Sequence, residues 1–99
     1  MCTYATLREA VEGSAKGPNG TWIQVSDATV YFDHPVHAIA IHTLNIDLAN
    51  PAQGPAARIA IELTADSARR LVGAIQSALA SAPLNLVADE LENQPPLPP

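Results

Sequence analysis

All three histidines of the chain, His34, His37 and His42, lie within one short segment. Neutral imidazole is the side chain that most often binds metal ions in proteins. Three imidazoles on a turn and the strand that follows it could occupy one side of a coordination sphere and leave a position open for water or a substrate. The segment therefore predicts a site for a divalent transition metal, with Zn, Fe and Cu as the candidates.

The spacing of these histidines matches none of the established zinc-finger or zincin patterns, so the fold has to bring them together. On a regular strand His37 and His42, five positions apart, point to opposite faces. Both rings reach one ion only where the chain bends or bulges between them, or where a second subunit contributes a ligand. Pro35 makes such a bend possible.

Two further side chains could act together with the histidines. Cys2 is the only cysteine, and its thiolate would be a soft ligand that favours zinc, copper or ferrous iron. It could instead act as a nucleophile, or be a small residue at a frayed terminus. Asp33 precedes His34 and could accept an imidazole N–H, which would fix the tautomer of a metal-binding ring, or it could cap the turn. Asp47 could likewise accept an imidazole N–H, or it could form a cross-strand pair with Arg58.

The elements that would position these residues follow from the alternation of apolar and polar residues. This alternation predicts strands at residues 3–12, 22–25, 28–32, 41–48 and 58–63. Glycine, proline and asparagine between positions 13 and 20 predict a hairpin turn, and Ser26-Asp27 predicts a second turn. In the strand 41–48, His42 shares its face with the apolar residues Leu44, Ile46 and Leu48, so we expect it to line the interior.

A helix is predicted to follow the last strand. Thr64 is suited to the N-cap and Asp66 to the first turn, where a negative charge favours the helix dipole. Apolar residues then recur at helical spacing until Pro83, at Ala68, Leu71, Val72, Ile75, Ala78, Leu79 and Ala82.

The predicted fold class is α+β, a four- to five-stranded antiparallel sheet packed on one C-terminal amphipathic helix. Residues 1–83 would form a single domain, since the 99-residue chain has about the modal size of one domain. Residues 84–99 would be a disordered acidic, Pro-rich tail. Because so small a chain buries little of its surface, we expect a homodimer that extends the sheet or covers its open face.

Composition excludes several classes of partner. A net charge of −5, from ten acidic and five basic residues, opposes binding to nucleic acid. No apolar run approaches the roughly 20 residues that span a membrane, and the N-terminus lacks a secretory signal pattern. With a single cysteine, these features predict a cytoplasmic protein without a membrane partner.

Three segments carry a resemblance to a family. They are Met1-Cys2-Thr3-Tyr4-Ala5-Thr6, the run 27–38 that contains Asp33-His34-Pro35-Val36-His37-Ala38, and His42-Thr43-Leu44-Asn45-Ile46-Asp47. Over residues 1–82 the chain resembles a family of small bacterial proteins of unknown function. The resemblance implies no reaction, cofactor or substrate, but it does imply that Cys2 and the histidine segment belong to one design.

The sequence therefore favours a small metal-binding protein with ligands His34, His37, His42 and Cys2, which could be a metalloenzyme acting on a small metabolite. No catalytic residue can be assigned, because the sequence has no nucleophile elbow or phosphate-binding loop. One alternative is a metal-free module whose histidines line a pocket for a small molecule. Another is a non-catalytic accessory protein that acts through its sheet face or its tail.

Overall fold

The computed structural model describes residues 5–87, which contain four strands, a short 3-10 helix at Pro51–Gln53 and one α-helix. The strands are β1 (Thr6–Lys16), β2 (Trp22–Asp33), β3 (Thr43–Ala49) and β4 (Arg58–Leu63), and the helix is α1 (Ala65–Ser81). The chain separates into two compact units that divide between Ala68 and Arg69. The α+β class is confirmed, and the described residues form four strands.

The four strands form one antiparallel sheet in the order β1-β2-β3-β4, so each strand lies beside its neighbour in sequence. The predicted hairpin joins β1 to β2 through a turn that the Gly20 N–H closes by donating to the Gly17 carbonyl at 3.0 Å. Gly20 has a φ of 82°, a conformation that glycine adopts without the steric cost of a Cβ. The turn lies in the second half of the predicted segment, because β1 continues to Lys16, beyond the strand predicted at 3–12.

The predicted turn at Ser26-Asp27 is wrong, because β2 continues through both residues. Asp27 pairs with Ala10 on one side and with Ala49 on the other, and the Ser26 hydroxyl donates to the Ala49 carbonyl at 3.4 Å. The irregularity lies in β1, where the register shifts between Ala10 and Gly13. A bulge of this kind absorbs one extra residue and bends its strand without ending the partner strand.

The register aligns the apolar residues of all four strands on one side of the sheet. Leu7, Val30, Ile46 and Ile61 lie level with one another across the strands. We call this side the apolar face; its apolar residues are Leu7, Ala28, Val30, Phe32, Leu44, Ile46, Leu48, Ile59, Ile61 and Leu63. The predicted sharing of one face by Leu44, Ile46 and Leu48 is confirmed.

The opposite side, the polar face, carries hydrogen-bonding residues. Arg58 Nη2 lies 2.8 Å from Asp47 Oδ1, so the predicted cross-strand pair is formed. Thr43 and Asn45, which the alternation assigns to the polar side, are buried, with 0% and 5% of their surface exposed. The Thr43 hydroxyl donates to Asn45 Oδ1 at 2.6 Å. This bond makes the burial tolerable, since a buried polar group without a partner is costly.

Helix α1 begins as the sequence predicts. Thr64 Oγ1 accepts a hydrogen bond from the Ser67 backbone N–H at 3.2 Å, which is the geometry of an N-cap. The helix has no buried residue. Its apolar residues have 42% to 60% of their surface exposed, at Leu71, Val72, Ile75 and Leu79. The packing of this helix face on the sheet stays a prediction.

The chain continues beyond α1 with a helical turn, in which the N–H groups of Leu86 and Val87 donate to the Pro83 carbonyl at 2.9 and 3.2 Å. The predicted tail begins within this turn, and most of it, residues 88–99, lies outside the described residues.

Candidate functional site

The three histidines belong to the connection between β2 and β3, residues 34–42, which we call the histidine loop. Proline at position 35 removes a backbone donor and ends the pairing of β2, so the chain leaves the sheet at this point. The loop exposes three large aliphatic side chains almost completely, with exposed fractions of 98% for Val36, 104% for Ile39 and 78% for Ile41. Since these side chains are not buried, the hydrophobic effect does not hold the loop in place, and other contacts must do so.

Glu62, near the end of β4, provides those contacts. Its carboxylate accepts three consecutive backbone N–H groups of the histidine loop, from Val36, from His37 at 3.1 Å and from Ala38 at 2.8 Å. Hydrogen bonds to an ionised acceptor are stronger than bonds between neutral groups. Glu62 thus clamps the loop to the sheet, although it lies 24 to 26 residues from the three donors in sequence.

The sequence did not predict this role for Glu62, which alternation places among the outward residues of its strand. Its position opposite Asn45 in the register is on the polar face, as expected. No local signal links Glu62 to the loop, because the donors are backbone groups that every residue except proline carries.

The clamp lowers the pKa of Glu62 below its ordinary 4.5, chiefly through the hydrogen bond from Val36 and next through that from Ala38. A lowered pKa means that the carboxylate stabilises the folded loop fully above about pH 4.5, and that this stabilisation is lost as the pH falls through the lowered pKa. We expect the amide proton shifts of Val36, His37 and Ala38 in NMR spectra to move together, with a midpoint below 4.5.

Glu62→Gln is the control for this titration, because it removes the titrating group and keeps the shape of the side chain. The three amides should then lose their common titration. The amide of His34, which donates to Asp33 instead, should keep its own. Independent midpoints for the three amides in the natural protein would contradict the clamp.

His34 and His42, at the two ends of the histidine loop, form a pair. Their ring centroids are 4.5 Å apart with an interplanar angle of 38°, and the ring of His42 also stacks on Phe32 at 5.7 Å and 15°. His42 is half-buried and His34 is exposed. Since Phe32 lies on the apolar face at the end of β2, the stack fixes the His42 ring at this end of the sheet and places the His34 ring against it.

Asp33 holds His34, the other histidine of the pair. Its Oδ1 accepts the His34 backbone N–H at 2.7 Å and lies 3.2 Å from His34 Nδ1. The backbone hydrogen bond is the main cause that lowers the pKa of Asp33 below its ordinary 3.8. With Nδ1–H donated to this carboxylate, the lone pair of the neutral ring is on Nε2. The arrangement orients His34 in the way that outer carboxylates orient metal-binding histidines.

The structure does not bring every predicted ligand to this pair. Within residues 5–87, no three side chains of His, Cys, Asp or Glu are arranged so that they could hold one ion. The backbone of His37 is bound by Glu62, and its side chain is exposed. Cys2 lies outside the described residues. Asp47 forms the cross-strand pair with Arg58 that was one of its two predicted roles.

A concavity of about 550 Å³ lies at the bulge of β1, away from the histidines. Its lining is Val11, Glu12, Gly13, Ser14, Gln24, Val25, Ser26 and Asn50, which includes one titratable side chain. A reaction or ion site needs several convergent groups, so the chemistry of the described residues concentrates at the pair rather than in this concavity.

No helix in the described part of the chain is long and apolar enough to cross a membrane. No curated protein and no solved structure matches the chain significantly. A family model, that of a family of unknown function designated DUF6295, matches residues 1–88. This match covers nearly the whole chain and extends six residues beyond the predicted resemblance, and the chain therefore belongs to the DUF6295 family.

Proposed function

We propose that the protein binds a divalent transition metal, Zn, Fe or Cu, with His34 and His42 as two of its ligands. The observation that carries this proposal is the pair itself, two imidazoles with ring centroids 4.5 Å apart at one end of the sheet. Two nitrogen ligands of one ion have to approach each other closely, and these two rings already lie next to each other.

The surroundings of the two rings support the same proposal. Asp33 Oδ1 lies 3.2 Å from His34 Nδ1, so this carboxylate orients the ring as outer carboxylates orient metal-binding histidines. Stacking on Phe32 orients the plane of the His42 ring. Two oriented rings lose less conformational freedom when an ion binds than two freely rotating side chains would.

The remaining positions around the ion would be filled from outside the pair. His37 on the same loop and Cys2 are the candidate protein ligands, and water or a small metabolite would take the open position. An open position allows a metal to polarise a bound carbonyl or to activate water, so a metalloenzyme acting on a small metabolite fits this site. The single cysteine also suits a cytoplasmic protein, the location we propose.

Two observations favour the alternatives. Residues 5–87 do not contain a complete three-residue set of ligands, which fits a metal-free module whose paired histidines orient a small polar molecule. The exposed Val36, Ile39 and Ile41 fit an accessory protein that presents the histidine loop to a partner. Metal analysis separates both alternatives from the leading proposal.

The test uses untagged protein purified without added metal, followed by elemental analysis and by titration with Zn²⁺. Asp33→Asn removes the carboxylate that orients His34, and we expect the metal affinity to fall by about 10–100-fold. Asp47→Asn is the matched control, since it makes the same change at a carboxylate paired with Arg58, and its metal affinity should equal that of the natural protein. Failure to bind Zn²⁺, Fe²⁺ or Cu²⁺ even after reconstitution would contradict the proposal.

A further inference from the structure

Three consecutive backbone N–H groups of the histidine loop converge on one carboxylate, and we call these three groups, at residues 36–38, the amide site. Glu62 Oε2 accepts the N–H of Val36, and Glu62 Oε1 accepts that of Ala38 at 2.8 Å. The N–H of His37 lies between the two oxygens, at 3.1 and 3.4 Å. Successive N–H groups that converge in a turn form a concavity that binds anions, and here both oxygens of one carboxylate are bound.

The amide site attracts a negative charge through the backbone alone. Residues 34–42 contain no lysine or arginine, so the donors are the partial charges of peptide groups. Hydrogen bonds from such groups are roughly twice as strong to an ionised acceptor as to a neutral one. A primary amide has the shape of a carboxylate, but it offers one acceptor oxygen and turns two further donors towards the site. The amide site therefore distinguishes a carboxylate from a neutral molecule of the same shape.

Glu62 can leave the amide site without disturbing the sheet. The backbone of Glu62 belongs to β4 and is paired opposite Asn45, whereas its hydrogen bonds to the loop are made by the side chain. The bonds from Val36 and His37 are exposed, so small solutes can reach these donors. Rotation of the Glu62 side chain is therefore enough to exchange its carboxylate for another one.

We propose that the amide site is a binding site for a small carboxylate ligand, and that Glu62 occupies it until the ligand displaces the Glu62 side chain. The chemical class of the ligand follows from the group already bound there, a carboxylate whose two oxygens share three donors. This exchange involves no imidazole nitrogen and no metal ion. The inference thus goes beyond the proposed metal site and does not depend on it.

The tether of Glu62 determines how a ligand competes. Because β4 holds Glu62 beside the loop, its carboxylate competes as if it were present at a concentration in the millimolar range or above. Acetate is held by the amide site alone, so we expect it to fill the site readily only where the Glu62 carboxylate is absent. A natural ligand needs contacts beyond its carboxylate to displace Glu62.

The test uses acetate as the probe and Glu62→Ala as the variant, which removes the tethered carboxylate. We expect the amide signals of Val36, His37 and Ala38 in NMR spectra of this variant to shift together as sodium acetate replaces sodium chloride at constant ionic strength. The natural protein should need at least about 10-fold more acetate for the same shift. The amide of Gly20, which donates to Gly17 at the opposite end of β2, should not move.

The sample is freed of metal and kept in a buffer without carboxylate or phosphate, so that the proposed metal site does not enter the result. Acetamide, the neutral molecule of the same shape as acetate, should leave the three amides unchanged. Glu12→Ala is the matched control, because it removes a carboxylate at an exposed position of β1, and it should respond to acetate like the natural protein.

Three amides of Glu62→Ala that do not respond to acetate, or that respond equally to acetamide, would overturn the proposal. If Glu62→Ala does not fold, acetate should restore its folded state, because a ligand that binds only the folded state stabilises it. Failure of acetate to do so would overturn the proposal as well.

Discussion

His42→Ala should remove the metal from the protein, with a fall in affinity of more than about 100-fold. Loss of a residue that only orients a ligand already costs about 10–100-fold, and His42 is proposed as a ligand itself. The variant should also lose the stabilisation that an ion gives to the folded state, about 2.7 kcal/mol when the free metal is 100 times its dissociation constant. Elemental analysis and thermal unfolding with and without Zn²⁺ measure both effects.

Ile41→Ala is the matched control for this experiment. It truncates the neighbouring side chain, which is 78% exposed, and it removes no group that can bind a metal. We expect it to retain metal like the natural protein. Full metal occupancy in His42→Ala would show that His42 is not a ligand, and loss of a small polar ligand from a protein that never holds metal would favour the metal-free module.

Ile46→Ala should reduce the free energy of unfolding by about 2 kcal/mol, the lower end of the range for truncation of a core aliphatic side chain, because Ile46 is half-buried. Ile46 lies in the centre of the apolar face, between Val30 and Ile61. It is half-buried within this row of apolar side chains, so its truncation removes contacts on both sides. Urea unfolding of the variant and of the natural protein measures this effect.

Thr29→Ala offers a comparison on the other side of the sheet. Thr29 is half-buried on the central strand β2, and its side chain belongs to the polar face, opposite Asp47. We expect a loss of about 0.5 kcal/mol or less there, as for most surface positions. A loss for Ile46→Ala as small as that for Thr29→Ala would mean that the centre of the apolar face stays in contact with water.

The elements that the sequence predicts well are those whose residues repeat with a clear period. Strand β4 has the predicted bounds because Ile59, Ile61 and Leu63 alternate with polar or small residues, and Thr64 is the N-cap that the sequence indicates. The turn at Ser26-Asp27 was predicted from local composition alone. The ladders on both sides of β2 outweigh that preference, since its backbone groups are paired with β1 and with β3.

The site is predicted in part for a similar reason. Clustering of the histidines in sequence identifies the loop. The strand predicted at 41–48 begins only at Thr43, so His42 lies in the loop, where its ring stacks on Phe32. Proximity of His34 to His42 depends on how the loop closes, and loop closure depends on Glu62. A contact between residues so far apart in sequence leaves no periodic signal, so only the structure reveals it.

The position of Glu62 also sets the order in which the molecule can be assembled. During synthesis the histidine loop leaves the ribosome well before β4, so its backbone donors have no acceptor until the last strand joins the sheet. Before that step, the loop has local contacts such as those between Asp33 and His34, between Phe32 and His42 and between Ala38 and Ala40. A nascent or truncated chain that ends before Glu62 would therefore carry all three histidines but lack the clamp, and an ion captured at that stage would meet an unfinished site.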